Sequence, residues 1–223
     1  MISNLQNYFQ IGGPVVWILA CFSLLATTVF LFKVWQLWFY YKLSGNSAEQ
    51  ALSLIEDGHD KEALLLLKKQ RSPRAQSLSH SLHISTHKLL DYTQFQQESM
   101  RFAKTLITKL NSHLRILDVI ATLAPLLGLF GTVLGMISAF RAMEAAGSQV
   151  DPSVLSGGIW QALLTTAVGL AVAIPVSLAH SWLERRVESE TSTMEDDLGR
   201  VFTQVAKDQH DNPSSNIRRL ANS

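Results

Sequence analysis

The stretch GGIWQALLTTAVGLAVAIP, residues 157–175, contains no charged residue but includes an amide and two hydroxyls, at Gln161, Thr165 and Thr166. A hydrocarbon core about 30 Å thick is crossed by about 20 residues of helix, so this stretch is long enough to enter a membrane. An amide that lies in lipid needs a hydrogen-bond partner, because an unsatisfied polar group is costly there. The segment therefore has the length of a membrane span and polar side chains that require a separate explanation.

Apolar residues make up 47% of the 223-residue chain and are concentrated in three blocks. Residues 14–32 and 119–140 contain no Asp, Glu, Lys or Arg, and residues 159–182 have His180 as their only titratable group. Backbone polar groups find no water partners in lipid, so each block is expected to be helical. The sequence predicts an all-α membrane protein with three transmembrane helices.

The orientation follows from basic residues near the ends of the blocks, which are enriched on the cytoplasmic side. Only Arg141 lies in the link between the second and third blocks, and the leader before the first block has no Lys or Arg. The opposite side carries eight: Lys33, Lys42, Arg101, Lys104, Lys109, Arg115, Arg185 and Arg186. We therefore expect the N-terminus outside and the C-terminus in the cytoplasm, with Lys33 extending towards the inner interface.

Two features predict that spans two and three continue into a cytoplasmic helical stalk. No Gly or Pro occurs from Arg74 to Arg115, so one or two helices should run directly into span two. Apolar residues recur at helical spacing from Leu183 to Val205, which is typical of an amphipathic helix. The predicted order is an outer N-terminus (1–13), span one (14–38), a cytoplasmic helical domain (39–115), span two (116–140), an outer link (141–158), span three (159–182), an amphipathic helix (183–210) and a disordered tail (211–223).

One helical face of the cytoplasmic domain carries His80, His83, His87 and Asp91. Imidazole and carboxylate groups on one face are able to bind zinc or copper. The alternative is a polar face that is solvated or packed within the stalk, and we favour it because helical metal sites show more closely paired ligands. We expect no metal, no cofactor and no catalytic residue.

Spans two and three each have a face of small, weakly polar residues and a bulky apolar face. In span three the small face contains Gln161, Ala162, Thr165, Thr166, Gly169 and Ala173. In span two it contains Ala121, Ala124, Pro125, Gly128, Gly131, Thr132, Gly135 and Ser138. Close packing of membrane helices is one explanation, since a GxxxG pair such as Gly131 and Gly135 lets backbones approach. A narrow, weakly hydrated passage lined by Gln161, Thr132, Thr165 and Thr166 is the other, and these residues alone leave both open.

Neither span carries a carboxylate in its centre, because Asp118 lies at the cytoplasmic rim of span two. Moving a proton through lipid usually involves an acid or a histidine within the membrane. Hydroxyls and amides guide a proton but do not titrate near neutrality. If the passage conducts protons, a partner helix must supply the acid.

Three quoted stretches, APLLGLFGTVLGMISAF, DPSVLSGGI and QALLTTAVGLAVAIP, resemble the ExbB/TolQ/MotA family of ion-driven inner-membrane motors, most closely its ExbB branch. The similarity is strongest over about residues 115–185. It implies a homopentamer around the single-span helices of an ExbD-like protein that carries the titrating Asp. It also implies a TonB-like partner that transmits the work to outer-membrane receptors for iron chelates and vitamins.

By position, Thr132 and Thr166 match the family's pore-facing threonines, and Pro125 and Pro175 match its helix prolines. Gln161 departs from the pattern, since familiar members have Glu there. A neutral amide makes a second titrating group in this subunit doubtful. It leaves the partner's Asp as the main candidate for the proton-carrying acid.

Two other functions compete with this one. A TolQ-like subunit would use the same machinery in the Tol-Pal envelope system, and the spans barely separate it from an ExbB-like one. A passive membrane scaffold is a different class, which the polar faces on two consecutive spans disfavour. An intramembrane protease would need paired Asp, a Ser–His pair or a metal motif in the spans. The spans have none of these. The expected partners are membrane lipids and other proteins, with no nucleic acid.

Overall fold

The computed structural model describes residues 13–44, 47–70, 72–87, 90–146 and 152–211, which form α-helices and no strand. The helices are α1 (Gly13–Ser44), α2 (Ser47–Glu56), α3 (Asp60–Lys68), α4 (Pro73–Thr86), α5 (Tyr92–Asn111), α6 (Leu114–Ala146) and α7 (Pro152–Asp211). Three are long and apolar enough to cross a membrane, over the candidate ranges Gly13–Trp38, Leu114–Ala145 and Leu155–Asp208. The prediction of an all-α protein with three spans is confirmed.

The chain divides into two compact units, each of which combines distant segments. We name the units after the predicted topology: within the described residues, the membrane unit consists of residues 13–34 and 113–184, and the cytoplasmic unit consists of residues 35–112 and 185–211. Both α1 and α7 contribute to each unit, since their helical hydrogen bonding continues past the point where their apolar stretches end.

The helix of span three continues far beyond its apolar part, as predicted. It contains 60 residues and is therefore about 90 Å long. Helix α6 ends at Ala146 and α7 begins at Pro152, so both helices extend into the segment 141–158 that the sequence assigned to the outer link. Residues 1–12 of the predicted outer leader (1–13) and residues 212–223 of the predicted disordered tail (211–223) lie outside the described residues.

The stalk before span two differs from the predicted direct run. Helix α5 ends at Asn111, and His113 has a φ of 72°, in the left-handed region that interrupts an α-helix. Helix α5 in turn has a start of its own, because the backbone N–H of Asp91 donates to Oε1 of Gln94 at 3.3 Å. Capping and one left-handed residue therefore interrupt the chain where the sequence has neither Gly nor Pro.

The cytoplasmic unit is held together by the apolar stripe predicted on the distal part of α7. Val187, Met194, Leu198 and Val201 are at most 3% exposed. Met194 and Leu198 pack with residues of α5, and Val201 belongs to the core built from α2 to α5. Burying one such side chain contributes about 1.5–3 kcal/mol. Packing of this kind is what stabilises α2 and α3, since helices of 10 and 9 residues are marginal alone.

Charged side chains join α2, α4 and α7 within the cytoplasmic unit. Arg74 on α4 donates through Nε and Nη2 to the carboxylate of Asp197 on α7, which is 1% exposed. These hydrogen bonds, with burial acting against them, raise the pKa of Arg74 above its usual value. Glu49 on α2 accepts hydrogen bonds from Arg200 and Arg74, and both lower the pKa of its carboxyl group.

One lysine of the membrane unit is placed differently from expectation. The sequence predicted that Lys33 extends towards the inner interface, but its residue is 2% exposed. The side chain is therefore enclosed by protein, because other segments of the chain cover this position on α1.

Candidate functional site

The small faces of α6 and α7 pack directly against each other, in antiparallel orientation. We call this contact the glycine seam. On α6 it contains Ala124, Gly128, Gly131, Gly135 and Ala139, and on α7 it contains Gly158, Ala162, Thr165, Gly169 and Ala173. Small residues recur every three or four positions, so each helix presents a continuous smooth strip to the other.

Glycine is required in the seam because the two backbones nearly touch. A Cβ on Gly169 would lie 2.7 Å from the carbonyl oxygen of Ala124 and 3.0 Å from the Cα of Gly128. A Cβ on Gly128 would in turn lie 3.1 Å from the carbonyl oxygen of Thr165. Contacts this short leave no room for a side chain, so they hold α6 and α7 as one rigid pair.

Thr165 lies inside the seam and is 2% exposed. Its Oγ1 donates to the carbonyl oxygen of Ala162 at 2.7 Å and lies 3.3 Å from that of Gly128 on the facing helix. The sequence predicts that this hydroxyl lines a passage, but in the protomer it bonds within its own helix and contacts the facing one. We therefore assign Thr165 to helix packing and omit it from the proposed passage.

Helix α1 covers one side of the α6–α7 pair. Val15 and Leu19 pack with Ala124 and Ala173 of the seam, and this cluster extends to Leu127, Val168 and Val172. The first residue of α1 also reaches Gln161, since a Cβ on Gly13 would lie 3.4 Å from its Nε2. The amide of Gln161 is thus next to the start of α1.

Thr132 and Thr166 lie on the opposite side of the pair from α1. On α7, successive residues are rotated by 100° about the helix axis, which places Thr166 about 60° from Gly169 in one direction. Gln161 and Val172, which face α1, are about 80° and 60° from Gly169 in the other direction. On α6, Thr132 is about 80° from Ala124 in the same sense as Thr166. Because the two helices are antiparallel and face each other, equal senses of rotation lead to the same side. We call this side the threonine flank.

Both hydroxyls of the threonine flank are half-buried and already bonded to backbone. Thr132 Oγ1 donates to the carbonyl oxygen of Leu129 at 2.6 Å, and Thr166 Oγ1 donates to that of Gly128 at 3.3 Å. A hydroxyl that donates its proton still has lone pairs that accept a hydrogen bond. The flank therefore presents two fixed acceptors and no charged group at this depth.

The two helix prolines are placed differently. Pro125 is half-buried in α6 and Pro175 is exposed in α7. Each lacks the N–H that would bond the carbonyl four residues earlier. Those carbonyls, of Ala121 and Ala171, are free of that helical bond.

At the histidine face of the cytoplasmic unit, as elsewhere among the residues that the structure describes, no group of three His, Cys, Asp or Glu residues converges. The His80 ring stacks on Phe102 with centroids 4.0 Å apart, and its Nε2 is 3.8 Å from Oε1 of Glu98. The rings of His83 and His87 are 4.5 Å apart. These contacts pack the histidines among themselves and against α5.

The sequence patterns missed two parts of this arrangement. Gly158 belongs to the end of the seam nearest the link between α6 and α7, next to Ala139, and extending the three-and-four spacing beyond Ala162 would have found it. The placement of α1 has no comparable signal, because that helix is apolar on all sides and its sequence favours no face.

Residues 69–196, more than half of the chain, match the MotA/TolQ/ExbB proton channel family. The chain is 28% identical over 194 residues to a putative biopolymer transport protein ExbB homolog of Methanothermobacter thermautotrophicus, covering 84% of this chain and 65% of that protein. It is 26% identical over 197 residues to the biopolymer transport protein exbB1 of Vibrio cholerae, covering 86% of both chains. It is 35% identical over 104 residues to the Tol-Pal system protein TolQ of Haemophilus influenzae, covering 47% of this chain and 43% of that one.

The matched region contains α4, α5, α6 and the first three-quarters of α7, and so includes the glycine seam and the threonine flank. Three apolar helices of membrane-spanning length agree with this match. The chain is a multi-pass membrane protein of the MotA/TolQ/ExbB proton channel family.

Proposed function

We propose that this protein is the ExbB-like channel subunit of a motor driven by the proton-motive force in the bacterial inner membrane. Together with an ExbD-like single-span partner, it energises TonB-dependent uptake of iron chelates and vitamins across the outer membrane. Family membership supports the channel role, and the names of the relatives support a role in biopolymer transport.

The observation that carries the proposal is the position of Thr132 and Thr166. Helix α1 covers the other side of the α6–α7 pair, so the threonine flank is the polar side that α1 leaves uncovered. Neither residues 119–140 nor residues 159–182 contain Asp or Glu. Hydroxyls that guide protons without titrating need an acid from elsewhere, and the Asp of an ExbD-like helix facing this flank would supply it.

The proposed assembly has five copies of the chain around the partner helices. The glycine seam makes each α6–α7 pair a rigid wall, and five walls would present their threonine flanks to the centre. Each proton that crosses about 100 mV releases about 2.3 kcal/mol, so a power stroke against a large barrier uses several protons. The N-terminus faces the periplasm in this proposal, in agreement with the distribution of basic residues.

Proton flux through the reconstituted complex tests the channel role. Liposomes that contain the protein with its ExbD-like partner should take up protons under an imposed membrane potential, as reported by a trapped pH-sensitive dye. The protein alone, or the complex with the partner's Asp replaced by Asn, should conduct little. Full conduction by the protein alone would contradict the need for a partner acid, and equal uptake function after collapse of the proton gradient would favour a passive scaffold.

A TolQ-like role is the second candidate, supported by the 35% identity to TolQ over 104 residues. Complementation separates the two roles. Expression in a strain without ExbB should restore growth on chelated iron, whereas expression in a strain without TolQ should leave the envelope sensitive to detergent. The reverse result would assign the protein to the Tol-Pal system.

A further inference from the structure

We propose that Asp118, His180 and Glu184 form a proton-release site at the cytoplasmic end of the threonine flank. This inference rests on the proposed proton-channel function and adds titrating residues that belong to this chain. The site would take a proton that arrives along the flank and pass it to cytoplasmic water.

Three polar residues near the cytoplasmic end of α7 lie on or close to the line drawn along the helix through Thr166. Glu184 follows Thr166 by 18 residues, which is five full turns, so it lies on the same face. Ser177 and His180 are about 20° and 40° from this line. This face therefore passes from the half-buried threonine over Leu170 and Ala173 and ends in an imidazole and a carboxylate.

His180 and Glu184 are paired across one helical turn. Nδ1 of His180 is 3.9 Å from Oε2 of Glu184, and their side chains are 17% and 53% exposed. The imidazole is thus mostly enclosed, and the carboxylate next to it is open to the surroundings. An ionisable residue in a membrane span costs free energy that an apolar residue would not. The presence of His180 beside a carboxylate therefore indicates a function at this position.

Asp118 lies at the same level on the facing helix. In the glycine seam Gly135 meets Ala162 and Gly128 meets Gly169, so the register brings the region of Asp118 level with Ser177 to His180. Asp118 also precedes Thr132 by 14 residues, as His180 follows Thr166 by 14. Each titratable group is therefore about four turns closer to the cytoplasm than its own threonine, with Asp118 rotated about 40° away from the glycine seam and His180 about 40° towards it.

The remaining charged or titratable groups at this end of the membrane unit are Lys33 on α1 and, at the start of α6, His113 and Arg115. The His113 ring contacts Phe32 of α1, with centroids 6.2 Å apart. Glu184 is the carboxylate close to His180, at 3.9 Å, and Asp118 is the carboxylate at the same level on the facing helix.

The proposed step transfers one proton and changes no other bond. Neutral His180 accepts a proton on the ring nitrogen that carries none, and the resulting imidazolium gives up the Nδ1 proton to Glu184. The Glu184 carboxyl then releases that proton to cytoplasmic water, while Asp118 stabilises the transient positive charge. Histidine suits this exchange because one of its two ring nitrogens can accept a proton while the other donates one.

The test is proton flux through the complete complex with its ExbD-like partner in liposomes. His180→Ala and His180→Gln should each lower the flux by about tenfold or more, since positioned acid–base groups contribute on the order of 10²–10⁴-fold. Added imidazole should restore flux in His180→Ala, and Glu184→Gln and Asp118→Asn should shift the pH profile. Glu190→Gln, which removes another carboxylate from the same helix, is the matched control and should conduct normally. Size-exclusion chromatography verifies that each complex is intact.

The outcomes separate this site from the channel function. If Thr166→Leu blocks flux but the His180 and Glu184 variants conduct at the wild-type rate, the release site is wrong and the channel function stands. If flux falls but imidazole does not restore it and the pH profile is unchanged, these residues only hold the helix at the membrane interface. That result would also overturn the release site. If the wild-type complex carries no protons, the channel function fails and the release site fails with it.

Discussion

A Cβ placed on Gly131 would lie 2.6 Å from both the Cβ and the Oγ1 of Thr165. This relationship joins the only GxxxG pair of span two to a hydroxyl of span three, and it encloses Thr165, which is 2% exposed, between the two helices. The same contact locks the register of α6 against α7. The register in turn sets which polar residues of the two helices share a side.

We expect Gly131→Ala to destabilise the α6–α7 pair by about 1–3 kcal/mol, because overpacking forces the backbones apart. The double variant Gly131→Ala/Thr165→Gly removes the Thr165 side chain that the new methyl group would meet, so it should recover part of the lost stability. Thermal unfolding in detergent measures both. Gly199→Ala is the control, since a Cβ there would meet nothing within 4 Å and should be neutral or stabilising. Equal melting temperatures for Gly131→Ala and Gly199→Ala would show that the glycine seam has room for a methyl group at Gly131.

Thr166→Leu should abolish function, whereas Gln161→Glu should be tolerated. Leucine on the threonine flank removes an acceptor and fills the space that a partner helix would face. Gln161 lies on the side of α1, so a carboxylate there leaves the flank unchanged. Growth on chelated iron at equal expression ranks the two variants. Better growth with Thr166→Leu than with Gln161→Glu would show that the proton path does not run along the threonine flank.

Asp197→Ala should destabilise the cytoplasmic unit by about 3 kcal/mol, because it leaves the guanidinium of Arg74 without its buried partner. Arg74→Lys should also be destabilising, since an ammonium group cannot make the two parallel hydrogen bonds. Thermal unfolding and limited proteolysis report the loss. Glu56→Ala serves as the comparison, since it removes a partner of Arg200 that is 48% exposed and should cost at most about 1 kcal/mol.

The stabilising effect of Glu49 should depend on pH in a defined direction. Hydrogen bonds from Arg200 and Arg74 lower the pKa of its carboxyl group in the folded protein. The stability that Glu49 contributes is therefore fully present above its ordinary pKa of 4.5 and is lost as the pH falls through the lower folded value. Melting temperatures of the wild type and Glu49→Gln should differ slightly at pH 6–7 and converge under strongly acidic conditions. A difference that grows as the pH falls would contradict this sign.

Features that depend on local sequence were predictable. The length of an apolar block is counted along the chain, so the three spans followed directly, and the spacing from Leu183 to Val205 revealed the buried stripe of α7. The small faces of α6 and α7 were also visible as a period of three and four residues. Their resemblance to a channel family was likewise present in short contiguous stretches, and the family match confirmed it.

Features that depend on which faces meet were decided by the tertiary structure. Helical periodicity placed Gln161, Thr165 and Thr166 in one arc. The packing of α1 and α6 separates them: Gln161 lies next to α1, Thr165 lies inside the glycine seam, and Thr166 lies on the threonine flank. Arg74 and Asp197 are 123 residues apart, and nothing local to either one pairs them. The period of a helix is written in neighbouring residues, whereas the choice of packing partner depends on shape and charge brought together across the whole chain, and that choice determines which side chains remain available for function.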